Sequence, residues 1–502
     1  MKETTLLTYE VRIWGIRKRN SKSAPFQLRW LVGGEVQQQP FMSRTQTDGR
    51  RSELMTAVRN GEQFDTVTGL PLSELRELKS PTWYEHACSY ALMKWPNIAA
   101  KHRANIAESL ATVTPVLVSS SKGTRPDPKV LRHALHSWAF QAARNDDGAL
   151  IRNDQGEPIA RQDATAPPAE ISAALAWVAK HSLKVADLND SDTLRRALTA
   201  LSLKLDGKKA AENTVRRKRT AFNNALRYAV ERELLTGNPL SRIDWDPPAT
   251  DDEVDFRYVP NPAQTRALLE AVRDQGKRGE HLHGFFGCMY YAAMRPSEVA
   301  QLSKRDCKLP ASGWGELILN RSRPEVGAGW TDDGKSYELR GLKRRARKAT
   351  RPVPIPPVLV TMLRRHMETY GTAPDGRLFA AARGGRVRST EYAEVWQKAR
   401  EKVLSAEDVA SPLAEVPYSL RHAGVSLWIK AGVDPVEVAR RAGHSIAVLW
   451  KFYAKILRGQ EHRANQLIDD ALGVSEEAAT TERGRAAGRN LGHSLATRPG
   501  HD

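Results

Sequence analysis

The stretch from Tyr290 to Leu302 decides the fold of the carboxyl-terminal part of the chain, and it reads YYAAMRPSEVAQL. Its first residues are apolar, as in a buried helix, and Arg295 follows them. Pro296 suits the first position of a new helix, and Glu298 supplies N-cap chemistry in the first turn of that helix. The stretch therefore predicts two helices with an arginine at their junction.

A strongly basic segment follows this junction. Between Glu338 and Arg351 the chain has seven bases and one acid. Residues 342–355 have the pattern of a β-hairpin with Lys343 near its tip, within a cluster of strands at 315–355. The seven bases are Arg340, Lys343, Arg344, Arg345, Arg347, Lys348 and Arg351.

Two further motifs lie closer to the carboxyl end. Residues 418–428 read YSLRHAGVSLW, and residues 442–453 read AGHSIAVLWKFY. Each places unusual polar side chains where the apolar pattern predicts the core of a helix. In the second motif a tyrosine, Tyr453, follows a histidine, His444, by nine residues.

Together, the four segments resemble the catalytic domain of the tyrosine recombinases, the phage-integrase family. In that family an arginine follows a helix, as Arg295 does, and a lysine on a β-hairpin corresponds to Lys343. The H-x-x-R box of the family matches 418–421, which ends at Arg421, and its G-H box matches the glycine and histidine of the last motif. The nucleophilic tyrosine of the family matches Tyr453, and all the matches occur in the family's order.

The chain departs from this pattern at the first position of the H-x-x-R box, where Tyr418 replaces histidine. Integrases of actinobacterial mobile elements are similar in carrying tyrosine at that place. A tyrosine hydroxyl has a reference pKa of about 10, so its attack at neutral pH requires positive charge and a proton acceptor nearby. His444 and Tyr418 are both candidates for the acceptor of the Tyr453 proton.

The chemistry of DNA strand cleavage gives the other matched residues their roles. Attack on a phosphodiester adds negative charge to its non-bridging oxygens, which Arg295 and Arg421 can hold through bidentate hydrogen bonds. The departing 5′-oxygen needs a proton, and we expect Lys343 to supply it. The scheme uses no metal ion and no other cofactor.

The charge balance of the whole chain favours nucleic acid as its partner. The 502 residues include 77 Lys and Arg against 58 Asp and Glu, a net charge of +19, and the sequence pI is about 9.8. A hydrophobic content of 40% and a mean hydropathy of −0.52 favour packed cores over wholesale disorder. The candidate phosphate contacts are Arg216, Arg217, Lys218, Arg219, Arg344 and Arg345.

The chain has no run of about 18 apolar residues, and its first residues lack the apolar core of a signal peptide. We therefore expect a cytoplasmic, nucleoid-associated protein without a membrane span. The three cysteines, Cys88, Cys288 and Cys307, form no C-x-x-C pair and predict reduced, structural thiols.

The hydrophobic periodicities predict a multidomain, mainly α protein. Residues 1–70 form a small β-sheet-plus-helix module, which resembles the arm-type DNA-binding domains of the family in outline. Residues 80–245 fit its helical core-binding domain, and 255–472 fit its catalytic domain, mixed but mainly α with a small β-sheet. The segment 246–253, with two prolines and four acids, marks the domain boundary, and the tail 474–502 has the composition of a disordered segment.

The resemblance implies a site-specific recombinase that cuts and rejoins double-stranded DNA attachment sites through a 3′-phosphotyrosyl intermediate. Such an integrase inserts or excises a mobile element, including a viral genome, and acts as a homotetramer on DNA. An excisionase or a DNA-bending protein is the accessory partner to expect. Two rival functions remain: DNA relaxation of the type IB topoisomerase kind, which uses the same chemistry, and a non-catalytic DNA-binding regulator on the same fold.

Overall fold

The computed structural model describes residues 6–119, 124–246, 248, 255–342, 349–381, 384–458, 465, 467–470 and 472. Residue contacts divide the chain into two compact units, Met1–Thr250 with Val326–Ser336, and Asp251–Glu325 with Tyr337–Asp502. Within the described ranges, none of the helices combines the length and the apolar composition that crossing a membrane requires.

The first unit begins with two small antiparallel sheets and one helix. Its elements are β1 (Leu7–Thr8), β2 (Val11–Ile13), β3 (Arg17–Lys18), β4 (Phe26–Val32), β5 (Glu35–Phe41), α1 (Arg44–Arg59) and β6 (Phe64–Asp65). One sheet is the pair of β1 with β6, and the other is a four-stranded sheet of β2 to β5. Strand β4 is central in the four-stranded sheet, because β2, β3 and β5 all pair with it. Leu28, Trp30 and Val32 alternate along β4 and bury one face of the sheet against Leu54 of α1.

Helices make up the rest of the first unit. They are α2 (Leu72–Lys79), α3 (Trp83–Lys94), α4 (Ala100–Val113), α5 (Pro128–Ala134), α6 (Arg161–Ala164), α7 (Ala169–His181), α8 (Ser191–Leu201) and α9 (Glu212–Glu231). Helix α4 packs against α3, α8 and α9, and its Ile106 and Leu110 are buried there. Phe222 and Leu226 of α9 are also fully buried, as expected for an amphipathic helix that turns one stripe to the core.

A segment from later in the chain completes the first unit. Residues Val326–Ser336 belong to this unit, and their apolar side chains join its helical core. The ring of Trp330 stacks on the ring of Trp95, with centroids 5.7 Å apart. Arg103 donates to the Trp330 carbonyl oxygen at 2.9 Å and forms an ion pair with Asp332 at 2.6 Å. The segment is therefore an integral part of this core.

The second unit is mainly helical, with two small sheets. Its elements are α10 (Pro262–Arg273), α11 (Gly276–Tyr291), α12 (Pro296–Val299), β7 (Cys307–Lys308), β8 (Gly315–Leu319), β9 (Arg321–Ser322), β10 (Arg340–Gly341), β11 (Arg351–Ile355), α13 (Pro357–Tyr370), α14 (Ser389–Val403), α15 (Ala406–Ala410), α16 (Ser419–Lys430), α17 (Pro435–Ala442) and α18 (Ile446–Arg458). Helix α11 packs against α10, α13 and α16 and buries Phe285, Phe286 and Met289 completely.

The predicted fold class is confirmed, since the chain is mainly helical with small sheets in both units. The predicted hairpin around Lys343 is wrong in its pairing: β11 pairs with β8, and β10 pairs with β9. Burial explains the difference, because Val353 of β11 lies opposite Leu317 of β8 and both are 0% exposed. Lys343 itself lies outside the described residues, as does the tail 474–502.

We expect Trp330→Ala to destabilise the first unit. The Trp330 side chain is 5% exposed, so its removal leaves a cavity and should cost about 3–5 kcal/mol. Hydrogen exchange of the α4 amides, measured by mass spectrometry, should become faster in this variant. Leu205→Ala is the control, because Leu205 belongs to the same unit but is 79% exposed. Equal exchange rates in the two variants would contradict the packing role of Trp330.

Candidate active site

Arg295 lies where one helix ends and the next begins. Helix α11 ends at Tyr291, and α12 begins at Pro296. The backbone N–H of Arg295 donates to Oε2 of Glu298 at 2.8 Å, so the carboxylate that caps α12 also fixes the arginine. The Arg295 side chain is 19% exposed, which leaves part of it open to solvent.

Glu298 is a buried carboxylate held between two arginines. Arg351 donates from Nη1 to Oε1 at 3.1 Å and from Nη2 to Oε2 at 2.8 Å, and both side chains of this pair are 1% exposed. Arg295 adds a bond from Nη1 to Oε1 at 2.9 Å. Burial alone would raise the pKa of Glu298, but the charges of Arg351 and then Arg295 lower it to about 2. The carboxylate is therefore ionised at neutral pH.

Arg421 lies in the first turn of α16 and is also buried. Its Nη1 donates to the carbonyl oxygen of Ala293, and its Nη2 donates to the carbonyl oxygen of Ala442 at 2.6 Å. These two residues precede Arg295 and His444 by two positions each, so Arg421 joins the turns that carry both side chains. Burial, and then the charge of Arg295, lowers the pKa of Arg421 to about 10, which keeps it protonated at neutral pH.

His444 accepts a hydrogen bond from Arg421. The distance from Arg421 Nη2 to His444 Nε2 is 2.8 Å. Because arginine can only donate, Nε2 carries the lone pair of the neutral ring and Nδ1 carries the proton. Burial, and then the charges of Arg421 and Arg295, lower the pKa of His444 to about 3. Nδ1 is buried without a hydrogen-bond partner among the described residues, so this ring offers one N–H donor.

Gly443 allows Arg351 to approach the turn before His444. It is the C-cap of α17, with φ 65° and ψ 43° in the left-handed region that favours glycine. A Cβ atom at this position would clash with the guanidinium of Arg351, so that buried group would have to shift. The Gly443 carbonyl oxygen also accepts from Nη2 of Arg295 at 3.3 Å. The glycine therefore brings two arginines of the cluster to this turn.

Tyr453 is fully buried inside α18. Its backbone, with φ −123° and ψ 16°, leaves the helical range, so the helix is kinked at this residue. The Tyr453 hydroxyl is 2.8 Å from Nδ1 of His422, and its ring is stacked on the ring of His444 with centroids 6.3 Å apart. Burial raises the pKa of Tyr453, and the charge of Arg421 only partly opposes this rise. Tyr418 is 36% exposed, and its ring forms a T-shaped pair with the ring of His422, with centroids 5.2 Å apart.

The sequence motifs do not assign a role in the site to three residues of this cluster. From the sequence, Glu298 has only a capping role and Arg351 is one of seven bases. Arg351 is the first residue of a strand whose alternate residues are buried. This alternation places Arg351 on the buried face of the strand and is the pattern that could have identified it. No local pattern identifies His422, because its partner Tyr453 is 31 residues away in the chain.

The basic run at the start of α9 is partly engaged within the first unit. Lys218 is 6% exposed, and its Nζ lies 3.6 Å from a carboxylate oxygen of Glu108. The guanidinium of Arg219 lies over the ring of Trp245, at 4.4 Å from its centroid. Arg217 is the exposed member of the run. The charge of Lys218 is thus compensated by a carboxylate within the protein. Phosphate contact by the neighbours of Lys218 stays a prediction.

The remaining candidate phosphate contacts are Arg216, Arg344 and Arg345. Arg216 is half-buried and donates from Nε to the carbonyl oxygen of Pro248 at 3.0 Å. Arg344 and Arg345 lie, like Lys343, outside the described residues.

The chain is similar in sequence to the integrase of Mycobacterium phage D29, with 24% identity over 178 residues that cover 32% of this chain and 44% of the phage protein. It thus spans less than half the length of that relative. No family model matches the chain.

Two solved structures are similar to it at low TM-scores. The Tn1549 transposon integrase in complex with a circular intermediate DNA has a TM-score of 0.43 and 15% identity, over 60% of this chain and 96% of that one. The XerH site-specific recombinase bound to difH substrate has a TM-score of 0.39 and 11% identity, over 70% and 92%. The similarity to a phage integrase confirms the resemblance that the motifs predict.

We expect Glu298→Gln to destabilise the second unit, because Arg351 then keeps a buried charge without a counter-ion. Breaking a buried ion pair in this way costs roughly 3–5 kcal/mol. The folded-state pKa of Glu298, about 2, is below its ordinary value of 4.5. Its contribution to the free energy of unfolding is therefore complete above pH 4.5 and is lost as the pH falls toward 2. The midpoints of urea unfolding of wild type and variant should differ widely at pH 7 and less at pH 3.

Glu394→Gln is the control for this measurement. Glu394 is an exposed carboxylate of α14 that pairs with Arg278 and Lys398, and its replacement should leave the unfolding midpoint nearly unchanged. If the unfolding midpoints of wild type and Glu298→Gln differ by the same amount at pH 7 and at pH 3, Glu298 is not ionised in the folded protein.

Proposed function

We propose that the chain is a tyrosine-type site-specific recombinase of the phage-integrase family, which cuts and rejoins double-stranded DNA through a 3′-phosphotyrosyl intermediate. The observation that carries this proposal lies within one compact unit. The ring of a buried tyrosine is stacked on the ring of a histidine, that histidine accepts a hydrogen bond from one arginine, and a second arginine donates to the carbonyl oxygen of the residue before the histidine. These residues are Tyr453, Arg295, Arg421 and His444, and each occupies a matched position of the family's motifs. The similarity to the phage D29 integrase supports the same assignment.

The charge of the cluster suits a phosphodiester. Arg295, Arg351 and Arg421 carry three positive charges and Glu298 carries one negative charge, which leaves 3 − 1 = +2. Attack by a hydroxyl places extra negative charge on the non-bridging oxygens, and positive groups held in place beforehand stabilise that charge without rearrangement. The partly exposed guanidinium of Arg295 is the donor that we assign to these oxygens. Arg421 is 1% exposed and bonded to Ala293, Ala442 and His444, so it contributes its charge and the bidentate contact predicted for it stays a prediction.

The proposed cleavage step exchanges one phosphate ester for another. The Tyr453 oxygen attacks phosphorus, and the 5′-oxygen leaves with a proton from Lys343. The DNA phosphate keeps its bond to the 3′-oxygen and becomes bonded to the tyrosine. The energy of the broken ester is thereby kept, and rejoining needs no ATP. Attack by the 5′-hydroxyl of the partner strand then completes the exchange.

The other parts of the chain have proposed roles in binding DNA. The net charge of +19 supports contact with phosphates. We assign 1–70 to arm-type sites, 80–245 to the core of the attachment site and 255–472 to catalysis. Strand exchange needs two duplexes and four cuts, so the working form is a homotetramer on DNA, assisted by an excisionase or a DNA-bending protein. Its role is to integrate or excise a mobile element, such as a viral genome, in the cytoplasm on the nucleoid.

We expect Tyr453→Phe to bind attachment-site DNA but to form no covalent adduct with a nicked suicide substrate, because it removes one hydroxyl. The adduct is measured as a shifted band on a denaturing gel. Tyr370→Phe is the control: this tyrosine of α13 donates to Glu280, and its loss should leave adduct formation intact. An adduct formed by Tyr453→Phe would contradict the assignment and would identify another nucleophile, such as Tyr418.

We expect Lys343→Ala to slow cleavage by about 10²–10⁴, the usual contribution of a general acid. A substrate with sulfur in place of the bridging 5′-oxygen should restore the rate, because a thiolate leaves without a proton. Arg295→Ala should stay slow on both substrates, since it removes charge at the non-bridging oxygens. The measurement is the single-turnover rate of adduct formation.

Arg344→Ala is the matched control for Lys343→Ala, because it removes a positive charge from the neighbouring residue. It should show no preference for the sulfur substrate. If Lys343→Ala is equally slow on both substrates, Lys343 holds phosphate and the general acid is another residue.

A further inference from the structure

The Tyr453 hydroxyl has one hydrogen-bond partner among the described residues, Nδ1 of His422 at 2.8 Å. The tyrosine is 0% exposed, so water does not offer an alternative acceptor. If Nδ1 of His422 were the donor, the hydroxyl proton would be buried without an acceptor, at a cost of about 1–3 kcal/mol. The hydroxyl therefore donates, and Nδ1 of His422 carries a lone pair that points at the nucleophile's proton.

The two acceptors suggested by the sequence are placed differently. Nε2 of His444 carries the lone pair of that ring, and this lone pair already accepts from Arg421 at 2.8 Å. Tyr418 meets the ring of His422, and within the described part of the chain its hydroxyl makes no hydrogen bond with Tyr453. Of the three groups, His422 is the one whose lone pair faces the reacting proton.

The surroundings keep His422 neutral. The half-buried ring is faced by Arg421 and Tyr418 from the start of its own helix, by Tyr453 from α18 and by His444 from the turn before α18. Burial, and then the charge of Arg421, lower the pKa of His422 to about 4. The ring is therefore unprotonated at neutral pH, as a proton acceptor must be.

We propose that His422 is the catalytic base of strand cleavage, a role that rests on the recombinase function proposed above. The Tyr453 oxygen donates an electron pair to phosphorus, and its O–H bond then breaks as the proton passes to Nδ1 of His422. The bond from phosphorus to the 5′-oxygen breaks with its electron pair, and that oxygen takes its proton from the general acid. During rejoining the bond from phosphorus to the Tyr453 oxygen breaks, and the imidazolium of His422 returns the proton.

Proton transfer in this scheme follows bond formation. Before attack, Tyr453 holds its proton more firmly than an exposed tyrosine does, because burial raises its pKa. As the oxygen bonds to phosphorus it becomes positive, its proton becomes acidic, and a weak base at hydrogen-bond distance suffices. The phosphodiester also brings negative charge beside Arg421, which favours the imidazolium that forms.

Two variants separate a base from a residue that only positions Tyr453. His422→Asn places an amide oxygen, an acceptor that takes up no proton, close to the position of Nδ1. His422→Ala removes both the hydrogen bond and the base, and leaves space for free imidazole. Single-turnover adduct formation on the nicked suicide substrate is measured for full-length protein at saturating DNA, and binding of the same DNA checks that each variant is folded.

We expect both variants to bind DNA and to cleave about 10²–10⁴ times more slowly than wild type at pH 7. The wild-type rate should be nearly level from pH 6 to 8, whereas the His422→Asn rate should rise about tenfold per pH unit as hydroxide replaces the base. Added imidazole should accelerate His422→Ala in proportion to its unprotonated form and should leave His422→Asn unchanged. His133→Asn, at an exposed histidine of α5, should behave as wild type.

The inference is overturned if His422→Asn cleaves within threefold of wild type with a level pH profile, because the residue then only positions the nucleophile. It is also overturned if a DNA-binding His422→Ala gains nothing from imidazole, or if Tyr418→Phe shows the loss of rate expected for His422→Ala while His422→Asn does not. These outcomes leave the proposed function intact as long as wild type forms an adduct at Tyr453. If wild type forms no adduct at all, the recombinase function itself fails.

Discussion

One buried carboxylate holds the candidate site together. Glu298 accepts from the Arg351 side chain through both oxygens, and it accepts from the side chain of Arg295 through Oε1 and from its backbone N–H through Oε2, at distances from 2.8 to 3.1 Å. Guanidinium groups in a desolvated place repel each other, and Arg295 indeed lowers the pKa of Arg421. Since removing solvent from charges is costly unless they are paired, the arginines can stay together in the folded protein because Glu298 lies between them. The cluster still keeps an excess of positive charge, which is what a phosphodiester requires.

Around this pair, backbone carbonyl groups set the positions of the other side chains. Arg421 donates to the carbonyl oxygen of Ala442, the last residue of α17, and to the carbonyl oxygen of Ala293, which lies two residues after the end of α11. The end of a helix has carbonyl groups without partners in the helix, and a buried guanidinium is a suitable donor for them. Arg421 therefore satisfies the end of α17 and fixes the turns that carry Arg295 and His444.

Tyr453, the proposed nucleophile, is held in a protected state. Burial of Tyr453 raises its pKa, and the neutral His422 holds its hydroxyl inside the unit. In the proposed reaction, the protein without DNA has little tendency to react, because the phenol stays protonated and the arginines have no oxyanion to stabilise. DNA would supply the phosphate that the tyrosine attacks and whose charge the arginines stabilise. The proposed mechanism thus ties the reactivity of the tyrosine to the presence of its substrate.

The sequence alone predicts the mainly α fold class, because local patterns carry that information, and its resemblance to a family points to four members of the candidate site. These are Arg295 at a helix junction and Arg421, His444 and Tyr453 in two short motifs. Tertiary structure decides which groups meet, through desolvation and packing between residues far apart in the chain. Glu298 pairs with a residue 53 positions away, and the Tyr453 hydroxyl meets His422 across 31 positions. Local periodicity shows which face of an element is buried but not which partner it meets, and that choice belongs to the folded core.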